Sequence, residues 1–116
     1  MATRSFPAHL RVTLREGVAF GPGKAQLLEG IRNTGSIAAA GRLMKMSYSR
    51  AWSLVDEMNS EFREPLVSSA KGGASRGGAV LTPLGHTVLT RYRRMEASAA
   101  RAVAADLAAL RRSAGR

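Results

Sequence analysis

The stretch Thr34 to Phe62, TGSIAAAGRLMKMSYSRAWSLVDEMNSEF, constrains the fold of this chain more than any other. Its spacing predicts two helices joined by a very short turn. In the first, Ser36 is a polar cap and Ile37, Ala40, Leu43 and Met44 recur at helical spacing, while Ala38, Ala39 and Gly41 keep the helix slim. Lys45 and Met46 make the turn. Ser47 then caps a second helix in which Ala51, Val55, Met58 and Phe62 follow at steps of four, three and four, forming one buried stripe.

That stripe leaves the opposite face of the second helix free. Winding at about 100° per residue sets Ser49 and Ser53 opposite the stripe, with Arg50 beside them and Tyr48 and Trp52 on the flanks. No acid follows until Asp56, so the first two turns suit contact with a polyanion. Recognition helices of helix-turn-helix proteins use their N-terminal residues on base edges in this way. An ordinary αα-hairpin with a solvated outer face has the same pattern, and the elements that follow bear on the choice.

The 116 residues suffice for one domain with one core. An apolar fraction of 45% excludes a disordered chain, and 5% aromatics imply a core of Leu, Val, Ile, Met and Ala. Eighteen Lys and Arg against eight Asp and Glu give a net charge of +10, which points to an anionic polymer or surface as partner. The absence of cysteine excludes disulfides, thiolate metal sites and a Cys nucleophile. No apolar run approaches the length of a membrane span or follows the N-terminus as a secretory signal, so the expected location is cytoplasmic, with no membrane partner.

Met1 to Ala8 has no pattern and reads as a loose leader. Leu10, Val12 and Leu14 alternate with polar residues, and after Glu16-Gly17 the alternation resumes at Val18 and Phe20, which predicts a small hairpin. Gly21-Pro22-Gly23 ends it. A helix over Lys24 to Thr34 covers its apolar side through Leu27, Leu28 and Ile31, and Gly35 stops that helix. Beyond the two central helices, Pro65 ends the helical pattern, Leu66 and Val67 begin a second hairpin, and Ala79 to Thr82 return it. The connection KGGASRGG, Lys71 to Gly78, holds four glycines and two long side chains, Lys71 and Arg76, both cationic. A helix-turn-helix followed by a hairpin with a basic, glycine-rich tip is the element order of a winged helix, whose wing lies on phosphates or in the minor groove.

From Pro83 the pattern is helical to about Leu110, with Thr82 as cap. Leu84, Val88, Tyr92, Met95, Ala99, Val103, Leu107 and Leu110 form a narrow seam that outlasts what a small domain covers. An identical helix from a second subunit would bury it, making those residues from Leu84 to Leu107 the expected dimer interface. Packing back on the chain's own domain is the competing use. The expected fold class is therefore mainly α with small β-hairpins. Residues 9–82 form a winged helix-turn-helix, 83–110 a long C-terminal dimerisation helix, and 111–116 a basic tail.

The order GPGKAQLLEGI, TGSIAAAGRLMKMSYSRAW, VDEMN, EPLV, a glycine-rich loop and AVLTPLG resembles the N-terminal winged-helix domain of ModE-type molybdate-responsive regulators, from about Leu10 to Tyr92. The resemblance implies a bacterial transcription factor that binds a palindromic operator in double-stranded DNA as a homodimer. It carries the family's DNA-contacting segments onto Ser36, Ser47 to Ser53, and Lys71 to Gly78. Three departures stand out. Ala74 and Ser75 interrupt the glycines of the wing, Ser49 follows Tyr48 where the family often has a basic residue, and the chain stops where the family's oxyanion-binding domains would begin. No molybdate sensing by this polypeptide is therefore implied, and a separate effector-binding protein becomes a candidate partner.

Other chemistry finds little support. Gly21-Pro22-Gly23-Lys24 fails as a Walker loop, because Val18 and Ala25 occupy positions that need Gly and Ser or Thr. His9 and His86 lie far apart with no ligand-spaced partner, so no metal or other cofactor is expected. No Ser has a plausible nearby base in the sequence, and the expectation is no enzyme. Trp52 could stack on a base but beside a buried stripe reads as core, Tyr48 fits either a phosphate contact or packing, and Asp56 and Glu57 could accept from Arg50 or Arg63. The expected division of labour gives base edges to Ser49, Arg50 and Ser53, and phosphates or the minor groove to Ser36, Ser47, Tyr48, Lys71 and Arg76. From the charge alone, a basic RNA-binding or ribosome-associated protein is the alternative, and a structural module pairing through its long helix is a third reading.

Overall fold

The structure, a computed structural model, describes residues 9–70 and 78–114. Strands β1 (Val12–Arg15) and β2 (Val18–Phe20) pair antiparallel around a turn in which Gly17 has a φ of 81°. Their register, Val12 to Phe20 and Thr13 to Ala19, shifts before Arg15 meets Val18. The shift inserts Leu14 as a bulge, so the alternation expected to keep Leu14 with Leu10 and Val12 breaks and Leu14 turns to solvent. Val18 and Phe20 are buried as expected.

Helix α1 (Pro22–Thr34) starts on Pro22 and stops at Gly35, whose φ of 74° lets its N–H donate to the Ile31 carbonyl at 2.8 Å. Helix α2 (Ile37–Leu43) follows at once, its first turn closed by the Ser36 hydroxyl accepting from the Ala39 N–H. Small residues set the helix spacing: a Cβ on Gly30 would stand 2.9 Å from the Ala40 Cβ, and one on Gly41 3.0 Å from the Ala51 Cβ. The three helices approach more closely there than side chains would permit. Leu43 corrects the sequence reading. It lies roughly 100° from the line of Ile37, Ala40 and Met44 on so short a helix, and it is 69% exposed.

Lys45, at φ 59°, reverses the chain, and Ser47 caps helix α3 (Tyr48–Glu61) by accepting from the Arg50 N–H at 3.1 Å. Ala51, Val55 and Met58 are fully buried, and Phe62 packs edge-on against Phe20. Strands β3 (Val67–Ser69) and β4 (Ala79–Leu81) form the second hairpin, with Val67 opposite Leu81 and Ser69 opposite Ala79. Two polar ties fix this hairpin. The Asn59 carboxamide of α3 accepts from the Leu66 and Val67 N–H groups and donates to the Val67 carbonyl, while the Ala79 N–H donates to the Gly35 carbonyl.

Helix α4 (Pro83–Ala114) runs 32 residues, through most of the expected tail. Thr82 caps it, accepting from the Gly85 N–H and donating to the Pro65 carbonyl. Its first turns lie on the core through Gly85, Leu89 and Tyr92, with Leu84 and Val88 half-buried at the margin. Tyr92 stacks edge-on with Phe20 and donates its hydroxyl to the Leu10 carbonyl at 2.6 Å, tying α4 to the chain's beginning. Burial, then the neighbouring Glu96 carboxylate, raises its pKa from 10.0 to about 12. Arg93 bridges Glu29 of α1 and Glu96; burial opposes its charge, but those two carboxylates outweigh it and hold the guanidinium above its ordinary value. Beyond Glu96 the helix leaves the core, which accounts for a longest dimension of 55 Å against 29 and 21 Å.

Candidate nucleic-acid interface

The outward face of α3 brings together most of the predicted contact residues. Ser47, Tyr48, Ser49, Arg50 and Ser53 are all exposed, and no acid occupies the first turn. Ser36 sits half-buried at the start of α2. Both capping serines use an oxygen lone pair on a backbone N–H, which leaves each hydroxyl proton free to donate to a phosphate. Lys71 and Arg76, and the loop that carries them, lie outside the described residues.

Two features of this face depart from the sequence reading. Trp52 is 44% exposed rather than core, because winding sets it about 100° off the stripe that starts at Ala51. Its indole N–H donates to the Tyr48 hydroxyl at 2.7 Å, so the two rings form one exposed aromatic ridge along α3. The acids of α3 also behave differently. Glu57 and Glu61 pair with Lys24, at 3.3 and 2.8 Å, rather than with Arg50 or Arg63. Lys24 further donates to the Ala19 carbonyl, so this lysine is committed to holding α1, α3 and β2 together. Arg50 makes no ion pair with any described residue and remains available to a ligand.

A cleft of about 680 Å³ separates the ridge from the β3–β4 hairpin. Ile37, Ala38 and Val55 form its floor, Tyr48 and Trp52 one wall, and the strand residues Ser68 and Ser69 part of the other. The aromatic ridge, not the polar face of Ser49, Arg50 and Ser53, is what α3 turns toward this cleft. Among the described residues no group of three His, Cys, Asp or Glu side chains stands together to hold a metal ion, and no helix is long and apolar enough to cross a membrane.

The expected dimer seam divides into two parts. Tyr92 is buried in its own subunit and cannot face a partner, and Leu84 and Val88 already pack against the same core. The face used is centred on Gly85, Leu89 and Tyr92, and Leu89 fell outside the seam read from the sequence. Farther along, Met95, Val103 and Leu110 are exposed, with Ala99 and Leu107 half-exposed beside them. Asn59 was also missed; a lone amide in a helix gives no sequence signal until its hairpin partner is placed.

No family model matches the chain. Curated proteins do. The chain is 42% identical over 87 residues to the molybdenum-pterin-binding protein MopB of Rhodobacter capsulatus, covering 75% of this chain and 32% of that protein. It is 35% identical over 96 residues to the molybdenum transport protein ModE of Azotobacter vinelandii, covering 83% and 36%. The DNA-binding transcriptional dual regulator ModE of Escherichia coli K12 is 35% identical over 83 residues, 72% of this chain and 32% of that one. The chain therefore spans about a third of the length of the curated relatives it matches. Among solved structures, the CbnR DNA-binding domain from its DNA complex superposes with a TM-score of 0.60 at 22% identity, covering 76% of this chain and 95% of that one. That likeness is one of fold, and the fold is a winged helix-turn-helix with a long C-terminal helix.

Proposed function

We propose that this chain, a homologue of the ModE-type regulators over most of its length, is a sequence-specific DNA-binding transcriptional regulator acting as a homodimer. The observation that carries the reading is the outward face of α3: Arg50 without an ion pair among the described residues, beside Ser49 and Ser53, no acid in the first turn, and Glu57 and Glu61 held by Lys24. With that face in the major groove, Arg50 reaches a guanine edge in bidentate fashion while Ser49 and Ser53 contact neighbouring bases. Ser36, Ser47 and Tyr48 hold phosphates, and Lys71 and Arg76 follow the backbone or the minor groove. A net charge of +10 on 116 residues supports a polyanionic partner. The chain works by binding rather than catalysis.

The dimer forms along Met95, Ala99, Val103 and Leu107 of α4. Exposed apolar residues at helical spacing on a helix that has left its own core support this assignment. Two subunits related by a two-fold axis match a palindromic operator.

The test is a division of labour. Arg50→Ala removes a base contact, so discrimination between the preferred duplex and a single-base variant should fall by about 1 to 3 kcal/mol. Lys71→Ala removes a phosphate contact and should weaken every duplex alike. Equal losses on specific and random DNA in both variants would contradict the assignment. Preference for structured RNA over every duplex would favour the RNA-binding alternative.

A further inference from the structure

Helix α4 carries a second stripe that neither the core nor the dimer seam uses. Wound at about 100° per residue, Arg91, Arg94, Arg101 and Arg112 fall within an arc of roughly 80°. Thr87, Thr90 and Ser98 lie within or at the margin of the same arc, and all seven residues are exposed. The arc is centred about 180° from the face of Gly85, Leu89 and Tyr92 and about 140° from the line of Met95, Val103 and Leu110. It points away from the core and remains open when two helices pair along that line.

Charge is sorted around this helix. Its two acids, Glu96 and Asp106, both lie outside the arc, and Glu96 is engaged by Arg93 on the core side. Arg91, Arg94, Arg101 and Arg112 make no ion pair with any described residue, and Arg101 donates to the Ser98 hydroxyl at 3.5 Å. At the base of the stripe, His86, Thr87, Thr90, Arg91 and Arg94 line a shallow depression of about 260 Å³. From Arg91 to Arg112 the stripe runs about 32 Å at 1.5 Å per residue, close to the 34 to 36 Å of one duplex turn. No large apolar side chain lies in the arc, which disfavours insertion into a lipid surface; arginines interleaved with hydroxyls match phosphate oxygens.

We propose that this stripe is a second, sequence-independent contact to the phosphate backbone of double-stranded DNA, separate from the segment read by α3. It gives the protein a hold on duplex that does not depend on recognition, so generic binding survives the loss of the α3 contacts.

The experiment measures binding of a random-sequence duplex of about 40 base pairs, four turns long, between 50 and 200 mM salt. The chains compared are the wild type, Arg50→Glu, Arg91→Gln/Arg94→Gln/Arg101→Gln, and the two combined. Loss of three phosphate contacts should lower the slope of log affinity against log salt by about 3 for each subunit whose stripe is engaged. The combined variant should bind at least tenfold more weakly than Arg50→Glu alone, and Lys at the three positions should restore most of the difference. A combined variant indistinguishable from Arg50→Glu would overturn the proposal, as would polyglutamate held as tightly as duplex by Arg50→Glu. Failure of the α3 reading would show instead as no sequence preference in the wild type, which this comparison does not use.

Discussion

Helices α3 and α4 carry apolar stripes of the same period, and the molecule treats them differently. In α3 the stripe of Ala51, Val55 and Met58 is buried within its own domain, and the opposite face is left polar. In α4 the same kind of stripe changes use along its length, with Tyr92 closed into the core and Val103 and Leu110 open to solvent. A period tells which residues share a face; what covers the face depends on how far the domain extends. The core ends near Glu96, where Arg93 makes the last ties to α1, and everything beyond must find a partner or remain exposed.

The comparison breaks most sharply if the outer half of α4 is not an interface. Val103→Glu with Leu107→Glu should convert dimer to monomer, because each apolar side chain buried at the seam contributes about 1.5 to 3 kcal/mol. Sedimentation would show the change in mass, and the thermal transition of the domain should survive. Leu84 and Val88 are unsuitable for this purpose, since both pack on their own core. Next comes the inner half. A Cβ on Gly85 would meet the Leu66 carbonyl oxygen at 2.2 Å, so Gly85→Ala should cost about 3 kcal/mol in urea unfolding, and an unchanged midpoint would refute that packing.

Smaller effects sharpen the picture. Ser47→Ala removes the cap of α3 and should cost about 1 kcal/mol, with some loss of duplex affinity as the first turn frays. Tyr92→Phe leaves the Leu10 carbonyl without its donor, for about 1 kcal/mol at neutral pH. Because the folded state raises the Tyr92 pKa from 10.0 to about 12, its contribution is complete below pH 10 and is lost as the pH climbs through that window. The Phe variant should lack that alkaline decline, which denaturation at stepped pH would reveal.

Much of this was legible in the sequence where the signals are local. Ser36, Ser47 and Thr82 cap the helices as expected, Gly35 stops α1, and the order of hairpins and helices holds. Leu14, Leu43 and Trp52 were misread because apolar identity was taken as burial, whereas a bulge, a seven-residue helix and a flank position each put them outside. Tyr92 was assigned to a partner because its spacing fits the seam equally well; only the position of Phe20 and the Leu10 carbonyl decides its use. The pairing of Glu57 and Glu61 with Lys24 was equally hidden, since it depends on where a distant part of the chain comes to lie.

The most direct test of the central claim is selection from a random duplex library with the whole chain at 200 mM salt, where contacts made by charge alone are weakened. Recognition by α3 in a two-fold dimer predicts enrichment of an inverted repeat whose half-sites are spaced by one turn, about 10 base pairs, or a multiple of it, and loss of that enrichment in Arg50→Ala. A pool that stays random, or one enriched identically by Arg50→Ala, would contradict the account.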